Sequence, residues 1–161
     1  MEKIIHTIAP VYDENSRVLL LGSMPSPKSR EAGFYYGNPH NRFWTVLSAV
    51  FNDDAGGRTK EEKTAFLLRH HVALWDVLHS CEIAGTSDAS IRSAEVNDFS
   101  AIFAAAPIRV VFFTGIAAHR YFTKNVRCNL PAIRLPSTSP ANAVWSLERL
   151  IEAYGVIKDY I

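Results

Sequence analysis

Four short runs limit what this chain can become. Residues 17–21 (RVLLL), 72–75 (VALW) and 109–114 (RVVFFT) are apolar and the length of a strand, and 132–135 (AIRL) is a fourth candidate. Continuous apolar runs of this size, as opposed to alternating ones, suit strands buried on both faces. RVVFFT is the clearest, being β-branched and aromatic. Helical patterns separate the runs. Asn41 is a good N-cap for a helix through about Phe51, with Phe43, Leu47 and Val50 on one face and Trp44 beside them. Thr59-Lys60-Glu61-Glu62 has the form of a capping box and opens a helix to about His70. Further helices are expected from Asp98 to Ala106, stopped by Pro107, and from Ile116 to Phe122. A last one is expected from Ser139, with Pro140 in its first turn, to about Tyr154.

This alternation predicts an α/β fold, a three-layer α/β/α sandwich with a central four-stranded parallel sheet, as one domain over residues 1–161. Residues 1–16 read as a lead-in, 52–57 as a turn and 80–93 as a polar loop. Ligands of such folds sit outside the carboxyl ends of the strands, which here feed loops at Gly22, Asp76, Gly115 and Pro136.

One of these loops is unusual. Between the end of the first run at Gly22 and Trp44 lie some twenty residues rich in Gly, Pro, Ser and aromatics, with little to build a helix or strand from. Loops of this length inside a compact fold are usually functional. The loop faces Pro136-Ser137-Thr138-Ser139 across one edge of the predicted sheet, and the cleft between them is the expected site.

Composition narrows the class without naming a function. The chain is 48% hydrophobic and 20% charged, as ordinary globular proteins are. Its apolar runs are too short to span a bilayer, and MEKIIHTIAP lacks a signal-peptide core, so a cytoplasmic protein is expected. Cys81 and Cys128 lack metal-ligand spacing, which predicts no zinc or iron–sulfur cluster. A net charge of +1 neither announces nor excludes nucleic acid, since gripping a few phosphates needs only local donors.

Several chemistries fail on their motifs. There is no G-x-S-x-G elbow for a serine nucleophile near Ser23 or Ser26. His70 and His71 are adjacent rather than one helical turn apart, and His6, His79 and His119 are isolated. GSMPSPKS lacks the phosphate-loop spacing, and its two prolines remove N–H donors. What remains is a cluster of aromatics and amides, Phe34, Tyr35, Tyr36, Asn38, His40 and Asn41. Phe34 and Trp44 are expected to pack beneath the loop. An aromatic beside Gly37 and an Asn is what a pocket needs to stack a flat base and bond its edge.

These residues carry a resemblance. Gly22-Ser23-Met24-Pro25-Ser26 after the first strand, Gly33-Phe34-Tyr35-Tyr36-Gly37-Asn38-Pro39-His40-Asn41-Arg42-Phe43-Trp44, and Leu135-Pro136-Ser137-Thr138-Ser139-Pro140 before the last helix resemble the motifs of the uracil-DNA glycosylase superfamily. Within it the chain is similar to the hypoxanthine-DNA (deoxyinosine) glycosylases, with mismatch-specific uracil glycosylases as cousins. The resemblance covers essentially the whole chain and implies a uracil-DNA glycosylase-like fold. It implies a monofunctional enzyme that hydrolyses the N-glycosidic bond of a flipped-out deaminated base, with no metal or cofactor. Its partner would be DNA, with no membrane, and the protein would act as a monomer. Hypoxanthine is the expected base, with uracil and xanthine open. A mismatch-type uracil glycosylase, a non-catalytic nucleic-acid-binding relative and a free-nucleoside hydrolase are the alternatives.

Two departures refine the site. Where relatives place Asp or Asn to direct water, this chain has Met24, so the resemblance moves that task to Asn38. Its amide cannot act as a base, but its carbonyl oxygen can aim a water. Leu135 stands where the wider family has His or Asn. Backbone N–H groups of Ser23 and Met24, with hydroxyls of Ser137 or Ser139, could compensate. Gly22, Ser23, Met24 and Tyr36 are thus expected at the base, with Tyr36 stacking on it. Ser26, Ser137, Thr138 and Ser139 are expected at DNA phosphates, with the start of the last helix, and Arg42 as a structural salt-bridge partner.

Overall fold

The structure, a computed structural model, describes residues 2–55, 59–85 and 87–161. Gly56 and Gly57, which end the turn expected at 52–57, lie outside them. In chain order the elements are β1 (Glu2–Ile5), β2 (Val18–Gly22), α1 (Pro27–Ala32), α2 (Phe43–Phe51), α3 (Lys60–Arg69), β3 (Val72–Asp76), β4 (Leu78–Ile83), β5 (Arg92–Val96) and α4 (Ser100–Ala105). They continue with β6 (Val110–Thr114), α5 (Ile116–Asn125), β7 (Ala132–Leu135) and α6 (Leu147–Tyr154), followed by a 3-10 turn at Gly155–Tyr160.

The four expected strands form one parallel sheet in the order β3-β2-β6-β7. Val18 pairs with Val72 and Val110, and Gly22 lies opposite Asp76. All of β2 is buried, which is why its sequence is apolar without alternation. Val18, Leu20, Leu74 and Phe112 face a core shared with Leu47 of α2, Phe66 of α3 and Leu150 and Tyr154 of α6. Leu19, Leu21, Val111 and Phe113 face the other way, against Ile102 of α4 and Phe122 of α5. Each fully buried large side chain in these layers contributes about 1.5–3 kcal/mol. The sheet is therefore covered on both faces, as the sequence predicts.

Four local expectations are corrected. The lead-in and the polar loop both contain strands: β1, β4 and β5 form a second, antiparallel sheet in the order β1-β4-β5. Its register shifts twice between Leu78 and Glu82, and β5 has no buried residue, so neither strand leaves a clean apolar signature. The long loop is not bare: α1 occupies residues 27–32 of it. Ser26 caps α1 by accepting the Ser29 N–H, Pro27 opens it, and Gly33 closes it at φ 71°. The last helix starts at Leu147 under the Ser146 cap, not at Ser139, whose hydroxyl instead accepts the Ala141 N–H. The capping box at Thr59 and Glu62 forms as written. Among the described residues, no helix is long and apolar enough to cross a membrane.

Candidate active site

A cavity of about 1400 Å³ opens at the carboxyl ends of the parallel strands. All four ends reach it, through Gly22, Asp76, Thr114 and Leu135. One wall is the segment from Ser23 to Asn41, and the opposite wall is the segment from Pro136 to Asn142. Every residue the sequence nominates, Gly22, Ser23, Met24, Ser26, Tyr36, Asn38, Ser137, Thr138 and Ser139, lines this one cavity.

The first wall is built on α1. Ser29, buried in α1, accepts the Gly37 N–H through its hydroxyl. A Cβ at Gly37 would lie 3.1 Å from the Lys28 carbonyl and 3.2 Å from the Ser29 Cα, so the chain rests close against α1 there. Beneath it Phe34 stacks on Trp44, and the Trp44 indole N–H donates to the Tyr35 carbonyl. The Tyr35 hydroxyl donates to the Ala9 carbonyl at 2.7 Å. On this base Tyr36 adopts φ 52°, a left-handed conformation that bulky residues rarely hold without support. Two contacts supply it: the ring stacks on Phe43 at 3.8 Å between centroids, and the hydroxyl meets Thr114 Oγ1 at 2.9 Å. Burial, and then the charge of Asp76, push the Tyr36 hydroxyl well above its ordinary pKa, so it stays neutral.

The Gly22–Ser26 motif is fixed by its carbonyls. The Val77 N–H donates to the Gly22 carbonyl at 2.7 Å and the Leu78 N–H to the Ser23 carbonyl at 3.0 Å. Among the described residues no acceptor meets the backbone N–H groups of Ser23 and Met24. The partly buried Met24 packs against the core beneath α4 and α5 and also lines the cavity. Asn38 lines the cavity with its carboxamide in a tight turn: Oδ1 accepts the His40 N–H at 3.0 Å and keeps a second lone pair.

The second wall hangs on Arg42. Its guanidinium donates to the carbonyls of Ser139 (3.0 Å), Asn142 (3.1 Å), Thr138 (3.4 Å) and Trp145. Arg42 is structural as expected, but its partners are backbone carbonyls and not a carboxylate. These bonds keep the segment from Ser139 to Trp145 in turns and displace the helix start to Leu147. Thr138 is 1% exposed, and its hydroxyl donates to Asn41 Oδ1 at 2.8 Å. That hydroxyl is spent inside the protein, so polar contacts from this segment fall to Ser137 and Ser139.

Two carboxylates at the cavity were not nominated from the sequence, which places Asp76 only at a strand end. Asp76 ends β3 and is only 4% exposed, with Oδ2 2.8 Å from His6 Nε2. Its other oxygen lies directly over Gly22, where an added Cβ would come within 2.5 Å of it. Gly22 is thus glycine because the carboxylate needs its space. Asp88 reaches the mouth from the turn between β4 and β5 and accepts the Ser23 hydroxyl at 2.9 Å. Although Asp88 is exposed by area, the surrounding walls push its carboxyl up, Ser23 pulls it down and the charge of Asp76 raises it again. The available signal was position: Asp76 directly follows a buried run. Among the described residues, no group of three His, Cys, Asp or Glu side chains comes together to hold a metal.

Comparison with known proteins places the fold. The profile of the uracil DNA glycosylase superfamily matches residues 9–156. A hypoxanthine DNA glycosylase of Methanosarcina acetivorans is 34% identical over 149 residues, covering 92% of this chain and 94% of the relative. One of Methanosarcina barkeri is 34% identical over 113 residues, covering 70% and 72%. A solution NMR structure from M. acetivorans, described as a candidate uracil DNA glycosylase, superposes with a TM-score of 0.83 at 32% identity, covering 95% of this chain and 96% of that one. The family and these relatives give the class of protein, a hydrolase acting on N-glycosyl bonds. The chain belongs to the uracil DNA glycosylase superfamily and is a DNA glycosylase.

Proposed function

We propose that this glycosylase removes hypoxanthine from DNA and leaves an abasic site, with uracil and xanthine as lesser substrates. The observation that carries the reading is the convergence of Tyr36, Asn38, Ser23 and Met24 on one cavity, in a chain 34% identical to relatives named for hypoxanthine.

The base swings out of the duplex and lies on Tyr36, whose ring Phe43 supports from behind. The Ser23 and Met24 N–H groups meet its carbonyl edge. As the C1′–N9 bond lengthens, its electron pair moves onto the base and positive charge grows on the sugar. Preorganised donors at the base stabilise the first change without reorganising. A water held by Asn38 Oδ1 adds to C1′ and releases its proton to solvent or to the departing base. Asn38 acts by aiming the water, not by accepting its proton. Ser26, Ser137 and Ser139 meet the DNA backbone, and Thr138 holds their segment. Water is the nucleophile, so no covalent lysine adduct forms and the strand is not nicked.

The test is a panel of oligonucleotides carrying a single hypoxanthine, uracil, xanthine or adenine, incubated with the protein and then treated with alkali. Cleavage fastest at hypoxanthine is expected, with no nicking before alkali. Faster cleavage at uracil would reassign the enzyme to the mismatch-type uracil glycosylases. No cleavage at any base would leave a binding protein. Hydrolysis of free inosine without cleavage of DNA would make it a nucleoside hydrolase.

A further inference from the structure

Deamination of adenine changes two adjacent atoms. The exocyclic amine, a donor, becomes a carbonyl oxygen, an acceptor, and N1 changes from an acceptor to an N–H donor. An enzyme that removes hypoxanthine and spares adenine needs a wall offering a donor and an acceptor side by side, in fixed order. The acceptor must be unable to become a donor.

The donors are the N–H groups of Ser23 and Met24. The acceptor is a buried side chain the catalytic scheme leaves unused. We propose that Asp76, oriented by His6, reads the N–H of the flipped base and thereby separates hypoxanthine from adenine. The inference rests on the hypoxanthine reading and supplies its selectivity.

Three features support it. Asp76 is 4% exposed yet lines the cavity, so a carboxylate has been buried at the site where a base would lie. Burial of a charge is costly unless it is paired and bonded, and His6 Nε2, 2.8 Å from Oδ2, is that partner. The pair is held rigidly. The His6 side chain is 1% exposed, its ring packs edge-on to Trp75, and its backbone N–H donates to the His79 carbonyl at 2.7 Å. The Asp76 carbonyl accepts from Asn97 Nδ2 at 2.9 Å.

Finally, Oδ1 is the oxygen left over. Among the described residues no donor is bonded to it, and it sits over Gly22, one residue from the Ser23 N–H. A carboxylate oxygen is an acceptor, so Oδ1 is mismatched to a base presenting a lone pair. Against hypoxanthine this wall matches O6 with N–H and N1–H with Oδ1. Against adenine both pairings invert. A site built this way rejects the mismatched analogue far more strongly than a shape filter does.

The decisive probe is unsubstituted purine, which has the N1 lone pair of adenine but no amine to clash with the Ser23 and Met24 donors. Excision of hypoxanthine and of purine from otherwise identical oligonucleotides is compared in the wild type and in Asp76→Asn. In the variant His6 Nε2–H retains the carboxamide oxygen and turns the NH₂ toward the cavity, replacing an acceptor with a donor. The hypoxanthine-to-purine ratio of kcat/KM should fall by roughly 100-fold or more, while affinity for DNA with an abasic-site analogue stays unchanged. A ratio within threefold of wild type would overturn the proposal.

His6 is tested as the positioning residue. His6→Gln keeps a donor and should preserve the ratio, whereas His6→Phe should lower it without loss of abasic-site binding. These two variants also decide the matter if Asp76→Asn fails to bind abasic-site DNA. Equal ratios in both would then count against the assignment. Absence of hypoxanthine excision by the wild-type protein would sink the excision reading and this inference together. Wild-type excision with unmoved ratios would sink this one alone.

Discussion

The two walls of the cavity are held by different physics. The wall from Ser23 to Asn41 rests on buried aromatics: Phe34, Tyr35, Phe43 and Trp44 are each no more than 6% exposed, and they seat Tyr36 and Asn38. Apolar burial of this kind is non-directional but large. The wall from Pro136 to Asn142 has little apolar anchorage of its own. It is held by directional bonds from Arg42 and by the Tyr154 hydroxyl donating to the Pro136 carbonyl. A wall set by packing suits groups that must stay still during bond cleavage. A wall set by hydrogen bonds to its carbonyls leaves the Ser137 and Ser139 hydroxyls at the cavity with a proton still to donate, while that of Thr138 is held by Asn41.

The contrast can be broken from either side. Asn38→Ala, on the packed wall, should lower single-turnover excision by about 100-fold or more with DNA affinity retained. Equal loss of affinity would show that Asn38 holds the wall and not the water. Arg42→Ala, on the other wall, should do the reverse. Freed carbonyls and a lost fork should cost about 3 kcal/mol in urea unfolding and weaken DNA binding more than the chemical step. Arg42→Lys should not rescue it, because a single ammonium cannot reach the same carbonyls at once. Tyr36→Phe is a milder cut. It keeps the stack on Phe43 and loses the bond to Thr114, for about 1 kcal/mol of stability.

The smallest expected effect concerns pH. The Asp88 carboxyl is raised in the folded protein, first by burial of its surroundings and also by Asp76. A raised carboxyl favours the protonated folded state. Its contribution is therefore full below the ordinary carboxylate range and is lost as pH rises through the folded value. At neutral pH the ionised group costs stability, so Asp88→Asn should raise Tm at pH 7 and leave it unchanged near pH 3. Solvent reaches Asp88, so a rise of about 1–2 °C is expected by thermal melts at the two pH values. A larger gain at pH 3 would reverse the sign of the argument.

How far the sequence carried differs between these regions. RVLLL, VALW and RVVFFT announced buried parallel strands because a strand covered on both faces has no polar side to disguise it. β4 and β5 were illegible for the opposite reason, since their bulged pairing and half-exposed faces leave no period. Ser26-Pro27 and Gly33 did mark α1, but a helix of six residues lies too close to ordinary turn chemistry to stand out within a Gly- and Pro-rich stretch. Ser139-Pro140 carried the same signal and yielded no helix, because Arg42 claims the carbonyls there.

By itself the sequence determined the parallel sheet, its cover of helices and the two loop motifs that meet at its carboxyl ends, because each depends on burial patterns or motifs within a few positions of one another. Only the tertiary structure decided which polar atoms remain free at the cavity. Asp76 acquires its role from His6, seventy residues earlier, and Arg42 its role from carbonyls about a hundred residues later. Such pairings depend on where the chain returns in space, and no local pattern records that.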